Sequence, residues 1–248
     1  RSLVAPETWQ AAGGRGTIEA SGGVLQVVQT DAVHRQVLVF CEKLRVARGL
    51  PPRSRLDPKR FTLETRLDAA RAKLGQTVTV NFREQVPLER ITSELEEMTG
   101  TKIVFDGLGL AEEGKTPRLP ASLQVNGRPL GESLGGLARS LGLAIWIADG
   151  STFQITTRRA AAGRLQLEFF PVRDLLANGM TSTGLIERIK DQTGGGTWND
   201  AGGPGVVCFD EPSQTLIVLQ SQSVQAALEM LLDKLRAEAA AKTKRAAG

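Results

Sequence analysis

The sequence predicts an α+β fold built from three small modules, and three observations carry that prediction. Two strings recur, "TWQAAGGRG" at 8–16 and "TWNDAGGPG" at 197–205. The match then continues in register: Trp9 and Trp198 are offset by 189, Leu25 and Leu216 by 191, and Lys-Leu-Arg closes both copies at 43–45 and 234–236. Order, spacing and hydrophobic pattern kept together over this length mark a duplicated module. Finally, residues 77–157 carry a half-repeat of their own, in which Pro-Leu opens two helices and Gly-x-x-Ile closes both, at 100–103 and 142–145. The 248 residues therefore read as two copies of one module flanking a different one.

The first copy, 1–48, holds a hairpin and a closing helix. It lacks the first strand and most of the first helix of the full pattern. The helix face bearing Val33, Val37, Phe40 and Leu44 is expected to be partly bare unless another segment covers it, and the parent chain is expected to continue upstream. Residues 49–60, "GLPPRSRLDPKR", carry three Pro and no periodicity, so they read as a linker. "FTLETRLDAARAKL" follows as an amphipathic helix capped at Thr62, with Leu63, Leu67, Ala70 and Leu74 on one side. Together 49–75 form a basic linker and helix.

The middle module, 76–158, opens with the alternating strand "TVTVNF". "PLERITSELEEMTG" is a helix with Pro87 in its first turn and Gly100 at its end. "KIVFD" is a strand, 107–120 a loop, "SLQVNG" a strand and "PLGESLGGLARSLG" a second helix. "LAIWIAD" and "TFQITT" close the module as a hairpin. Gly135 and Gly136 inside the second helix cost about 1 kcal/mol each against Ala, and are expected to mark close packing against the first helix. The complete copy, 164–240, reads strand, helix, strand, strand, helix, from "RLQLEFFPV" through "TSTGLIERIKDQT", "VVCF" and "TLIVLQ" to "SQSVQAALEMLLDKLR". Composition beyond it, 241–248, predicts a disordered tail.

The glycines Gly13, Gly14 and Gly16, with Gly202, Gly203 and Gly205, lie between first helix and hairpin in each copy. They permit positive φ and close backbone approach, and Trp9 and Trp198 are expected to pack over them as lids. A competing reading takes "GGRG" and "GGPG" as the GxxG of a nucleic-acid clamp. Against it, a strand follows the loop instead of a helix, and Pro204 removes one donor.

Composition narrows function. Aromatics are 4% and Tyr is absent, which disfavours stacking platforms for bases or sugars. The net charge of +4 is concentrated between 43 and 74, where Lys43, Arg45, Arg48, Arg53, Arg55, Lys59, Arg60, Arg66, Arg71 and Lys73 face Asp57, Glu64 and Asp68. Such a stretch can bind phosphates or serve as a solvated linker and helix face. No apolar run approaches a membrane span. Cys41 and Cys208 fall at non-equivalent repeat positions and read as small apolar residues. His34 is the single His, and its repeat equivalent is Gln225. No metal-ligand spacing, nucleophile elbow or phosphate loop occurs, so no catalytic, metal or cofactor residue is assigned and an enzyme is not expected.

"VTVNFREQVPLERITSELEEMTGTKIVFD" with "LQVNGRPLGESLGGLARSLGLAIWIADGSTFQITT" resembles the secretin and TonB short N-terminal domain. The flanking copies are similar to the KH-like, ring-building modules found beside that domain in secretins, on "TLIVLQSQSVQAALEMLLDKLR". The resemblance implies KH-like βαββα repeats, the first truncated, flanking a secretin N0-like domain. It further implies a non-enzymatic periplasmic or cell-envelope module without cofactors, acting through protein partners and able to self-associate into a ring. Two alternatives stay open: a KH-like nucleic-acid binder using 43–74, and a TonB-linked signalling domain. No specific nucleic-acid partner is expected under the first reading.

Overall fold

The computed structural model describes residues 2–246, with side chains through residue 242. In chain order the elements are β1 (Thr17–Ser21), β2 (Val24–Val28), α1 (Asp31–Ala47), α2 (Arg66–Leu74), β3 (Thr77–Pro87), α3 (Leu88–Thr99), β4 (Lys102–Phe105), α4 (Gly107–Ala111), β5 (Pro120–Pro129), α5 (Leu130–Ser140), β6 (Leu143–Ile147), β7 (Thr152–Thr157), α6 (Arg158–Gly163), β8 (Leu165–Pro171), α7 (Arg173–Ala177), α8 (Ser182–Gln192), β9 (Val206–Asp210), β10 (Thr215–Ser221) and α9 (Gln222–Ala246). The class is α+β. Helix α9 runs past residue 240, where the sequence ends the last module. The tail expected to be disordered, 241–248, is helical through Ala246, and 247–248 lie outside the described residues.

Two compact units form. One comprises residues 64–165, with 221–223 assigned to it. Its strands make an antiparallel pair, β3 with β5, and a three-stranded sheet of order β4-β7-β6. In that sheet β4 runs parallel to β7, and β6 runs antiparallel to it. Helices α3 and α5 bury Leu88, Ile91 and Leu95, and Leu130, Leu134 and Leu137, against Val78, Val80, Phe153 and Ile155. Both helices start at the Leu of a Pro-Leu pair, with Pro87 and Pro129 at the N-cap, and Gly100 and Gly142 follow with φ of 61° and 65°. At each end a lysine caps the outgoing backbone: Lys73 Nζ donates to the Thr99 carbonyl at 2.8 Å and Lys115 Nζ to the Gly142 carbonyl at 3.1 Å. A cation there offsets the negative end of a helix. Asp106 is buried and accepts from Thr156 Oγ1 at 2.6 Å, the Gly109 amide at 3.1 Å and Arg164 Nη2 at 2.5 Å. The Thr156 hydroxyl chiefly holds its carboxyl below the usual range, against burial, with Gly109 and Arg164 adding to the effect.

Two local expectations change. The linker helix is capped by Thr65, whose Oγ1 accepts from the Asp68 amide, and not by Thr62. A 3-10 turn at Pro58–Phe61 buries Phe61 and leaves Thr62 extended, so the helix begins one turn later. Gly136 meets no atom within 4 Å of an added Cβ, and at Gly135 the nearest atom is its own helix's Arg139. The tight approach is at Gly131, where a Cβ would lie 3.2 Å from Leu74 Cβ on α2.

The other unit joins 1–63 with 166–220 and 224–248. Its complete module has a sheet of order β8-β10-β9, with Leu216 and Val218 packed among Leu185, Ile189, Trp198, Leu228 and Leu232. Alternate residues of a strand point to opposite faces. Thr215, Ile217 and Leu219, on the far face of β10, are buried as well. Phe169 of β8 points to the same far side, opposite core residue Phe170. It meets Phe40 of α1 with ring centroids 6.0 Å apart, and Lys43 Nζ lies 5.8 Å from its centroid. On the α1 face Val33 is buried, whereas Val37, Phe40 and Leu44 stay half-buried, with Phe40 resting on the second copy and the 3-10 turn at Pro58–Phe61 also packed on the helix. Glu42, also buried, accepts from the Arg53 and Ser54 amides and pins the linker to α1.

The end of α1 is tied to the β9–β10 turn. Arg48 donates from Nε at 3.1 Å and from Nη2 at 2.5 Å to the two oxygens of Asp210, which also accepts from Ser213 Oγ at 2.6 Å. The Arg48 hydrogen bonds, with those from Ser213, outweigh burial and lower the Asp210 pKa to about 2. A depressed folded-state pKa adds stability that is complete above the unfolded value and lost as pH falls through the folded one. Asp210→Asn is expected to be less stable than the parent above about pH 4, with the gap closing as pH drops toward 2. Paired denaturant melts across that range check this, and a gap that does not narrow would refute it.

Candidate functional site

The repeated string folds into the same knot twice. Trp9 is 2% and Trp198 1% exposed. Each indole Nε1 donates to a carbonyl five residues earlier, Trp9 to Val4 at 2.6 Å and Trp198 to Thr193 at 2.7 Å. The loop then closes on itself. Gly14 and Gly203 donate to the Trp9 and Trp198 carbonyls, Gly16 and Gly205 to those of Thr8 and Thr197. Gly13 and Gly202 both have φ of 85°, a conformation that favours glycine. At Gly14 and Gly203 the requirement is space: a Cβ would lie 2.2 Å from the Thr8 or Thr197 carbonyl. Next to Gly16 and Gly205 sit Gln29 and Gln220, whose Nε2 donates to Thr8 Oγ1 at 2.7 Å and Thr197 Oγ1 at 2.8 Å. The repeat alignment shows these Gln and Thr pairs but gives them no role; the structure makes them the tie between loop and hairpin.

These loops spend their amide donors internally, at Gly13, Gly14, Gly16, Gly202, Gly203 and Gly205. A GxxG clamp needs such donors turned outward toward a phosphate backbone. Part of the basic stretch is engaged by the protein, while Arg53, Arg55, Lys59 and Arg60 are exposed. Arg45 donates to the Pro51 carbonyl, Arg48 to Asp210, Arg71 to Asp68 and Lys73 to Thr99.

The two copies share hairpin register, Ile18 opposite Val27 as Val207 is opposite Val218. They differ in closure. In the complete copy β8 flanks β10. In the first copy β1 and β2 form a sheet of two strands, so β2 keeps an open edge. Leu25 is 52% exposed where its counterpart Leu216 is 0%, and Val24 and Val28 are 61% and 67% exposed. Gly22 and Gly23 make a two-residue turn at positive φ, which pairs Ser21 with Val24 and directs the backbone groups of Leu25 and Val27 outward. His34 answers one of them. Its Nε2 lies 3.1 Å from the Val27 carbonyl, and its Nδ1 lies 3.2 Å from the Thr30 carbonyl. The equivalent Gln225 donates to the Gln166 carbonyl on β8. Where the flanking strand is missing, the His turns to the edge itself.

Other chemistry is quiet. Cys41 and Cys208 are free and half-buried, and burial raises both thiol pKa values. Among the described residues no group of His, Cys, Asp or Glu could hold a metal, and no helix is long and apolar enough to cross a membrane.

No protein-family model and no curated protein matches the chain. Solved structures do. The GspC–GspD complex of enterotoxigenic Escherichia coli type II secretion aligns at 16% identity over 64% of this chain and 98% of that one, with a TM-score of 0.25. The N-terminal domain of the secretin XcpQ from Pseudomonas aeruginosa aligns at 14% over 64% and 65%, TM-score 0.25. The Vibrio cholerae competence-pilus secretin PilQ aligns at 16% over 64% and 38%, TM-score 0.25. The alignment thus spans less than two thirds of the XcpQ and PilQ chains. At such scores the likeness carries no weight of its own, and the fold rests on this chain's elements and cores.

Trp198→Ala is expected to destabilise the complete module by about 3–5 kcal/mol, the range for large aromatic truncations in cores. Trp9→Ala should do less, because the hairpin beside it is already half open. Gly203→Ala should be worse than Gly202→Ala, since it collides with the Thr197 backbone whereas Gly202 faces open space. Denaturant melts of the full chain rank the four variants, and an unchanged midpoint for Trp198→Ala would refute the packing role of the knot.

Proposed function

We propose that this chain is a non-enzymatic docking and assembly module of the cell envelope that works through protein–protein contacts. The observation that carries the reading is the asymmetry of the repeats: one copy is closed, and the other presents Val24, Leu25 and Val28 on an open strand edge. Exposed apolar side chains beside an open edge mark an interaction site, and an unpaired strand edge supplies main-chain hydrogen bonds to a partner strand. The envelope placement rests on the sequence resemblance of 76–158 and of the flanking copies to secretin N-terminal modules. The nucleic-acid alternative is weakened by the inward-turned loop amides and by the protein partners of Arg45, Arg48, Arg71 and Lys73.

A photo-crosslinking residue in place of Leu25, in cells that make the protein, is expected to give an adduct with a protein of the envelope. Loss of every adduct at 25, with the chain intact, would overturn the docking reading. Binding to single- or double-stranded nucleic acid is expected to be weak and to fall steeply with salt, as for contacts made by Lys and Arg alone. Tight binding that survives raised salt in a filter titration would restore the alternative.

A further inference from the structure

We infer that the open edge of β2 is a pairing site for β2 of a second copy of this chain, antiparallel about a two-fold axis at Gln26. The inference rests on the docking reading and names its occupant.

The strand reads Val24-Leu25-Gln26-Val27-Val28, and its polarity is the same in both directions. A two-fold axis at Gln26 sets Leu25 opposite the partner's Val27, Val24 opposite the partner's Val28, and Gln26 opposite the partner's Gln26. Apolar residues then meet apolar ones, and the one polar side chain meets itself as an amide able to donate and accept. The hydrogen-bonding parity fits as well. The outward backbone groups are those of residues 25 and 27, and this register places them opposite each other, where an antiparallel pair exchanges both hydrogen bonds. The Val27 carbonyl that His34 already holds has a second lone pair for the incoming amide.

Apart from the His34 imidazole at the Val27 carbonyl, no side chain of the edge strand opposes a copy of itself. β2 contains no charge and no Pro, the usual devices that protect edge strands. Glu19, paired with Gln26 across the hairpin, is the nearest acid in β1. In the sheet β1-β2-β2-β1 the two Glu19 would stand three strand spacings apart, roughly 14 Å, beyond the screening length of about 8 Å at physiological salt. On one face Leu25 and Val27 of both copies form a single apolar stripe. A closed two-fold pair uses the same patch twice and ends there. Two five-residue strands make a small interface, so the association is weak and depends on concentration.

The test is light scattering and sedimentation of the purified chain over a concentration series, with charge exchange at the axis. The parent is expected to pass from monomer to dimer. Gln26→Lys alone and Gln26→Glu alone should each stay monomeric, because like charges would sit directly opposite. An equal mixture of the two should recover a mixed dimer. Circular dichroism melts show that each variant keeps its fold, and Gln26 is exposed in the hairpin, so Gln26→Lys decides by itself if Gln26→Glu is perturbed by Glu19. A parent that is monomeric throughout, a dimer indifferent to Gln26→Lys, or a mixture that stays monomeric overturns the inference. A monomeric parent that still gives an adduct at position 25 in cells assigns the edge to another protein and leaves the docking reading standing. Loss of the adduct ends both.

Discussion

Strand β10 is buried along its whole length, and most of the first and last modules' arrangement follows from that. A strand covered on one face alternates apolar and polar residues, whereas one covered on both reads as an unbroken apolar run. Leu216-Ile217-Val218-Leu219 is such a run. Its inner face is filled by α8, α9 and Trp198. Its outer side needs a second layer, and on that side of the sheet Phe40 of α1 meets Phe169 of the neighbouring β8 while Arg48 meets Asp210 at the end of β9. Helix α1 cannot then be the full cover of its own hairpin. The exposure of β1 and β2 is the counterpart of the closure of β10.

The Trp–Gly knot solves a different problem, the join between a helix end and a hairpin. The chain must turn back within a few residues and still satisfy its amides. A 3-10 turn after the Trp, a glycine at φ 85° and two close glycines do this in both copies with hydrogen bonds of nearly the same length. The buried indole fills the remaining space and satisfies its own N–H on the incoming chain, at Val4 in the first copy and at Thr193, the C-cap of α8, in the second. The repetition is thus a repetition of geometry. Gln29, just after β2, and Gln220, within β10, complete it from the hairpin, which explains why a Gln recurs at that point in both copies.

Much of this is legible in the sequence. The duplication, both hairpins, the Pro-Leu helix starts and the glycine helix stops follow from local chemistry, because proline, glycine and periodicity act within a few residues. Thr65 is not separable from Thr62 on the same grounds. Both are good caps, and the choice is made by the burial of Phe61 in the preceding turn. The same holds for glycine packing: Gly135 and Gly136 look special by their pairing, yet Gly131 is the one against another helix, since only tertiary position decides what a missing Cβ makes room for. The cover of α1 is readable in retrospect from the run at 216–219, in contrast with Gln26 interrupting the equivalent strand. The role of His34 is not, because it depends on a strand that is absent beside it.

Two copies of one module that differ in closure are not equivalent parts. The complete copy gains its stability from its own core and lends its outer face to α1, so it acts as the fixed base. The first copy is held by that base through its helix, while its hairpin projects with backbone groups and valines toward solvent. His34 sets its Nε2 3.1 Å from one carbonyl of the edge and leaves the side chains uncovered. An edge capped by a single exposed imidazole, without the lysines or prolines that block pairing, is less a sealed surface than an open seam. Anchoring the helix on the base holds that seam in one conformation, so a strand pairing with it, as proposed, would lose little entropy.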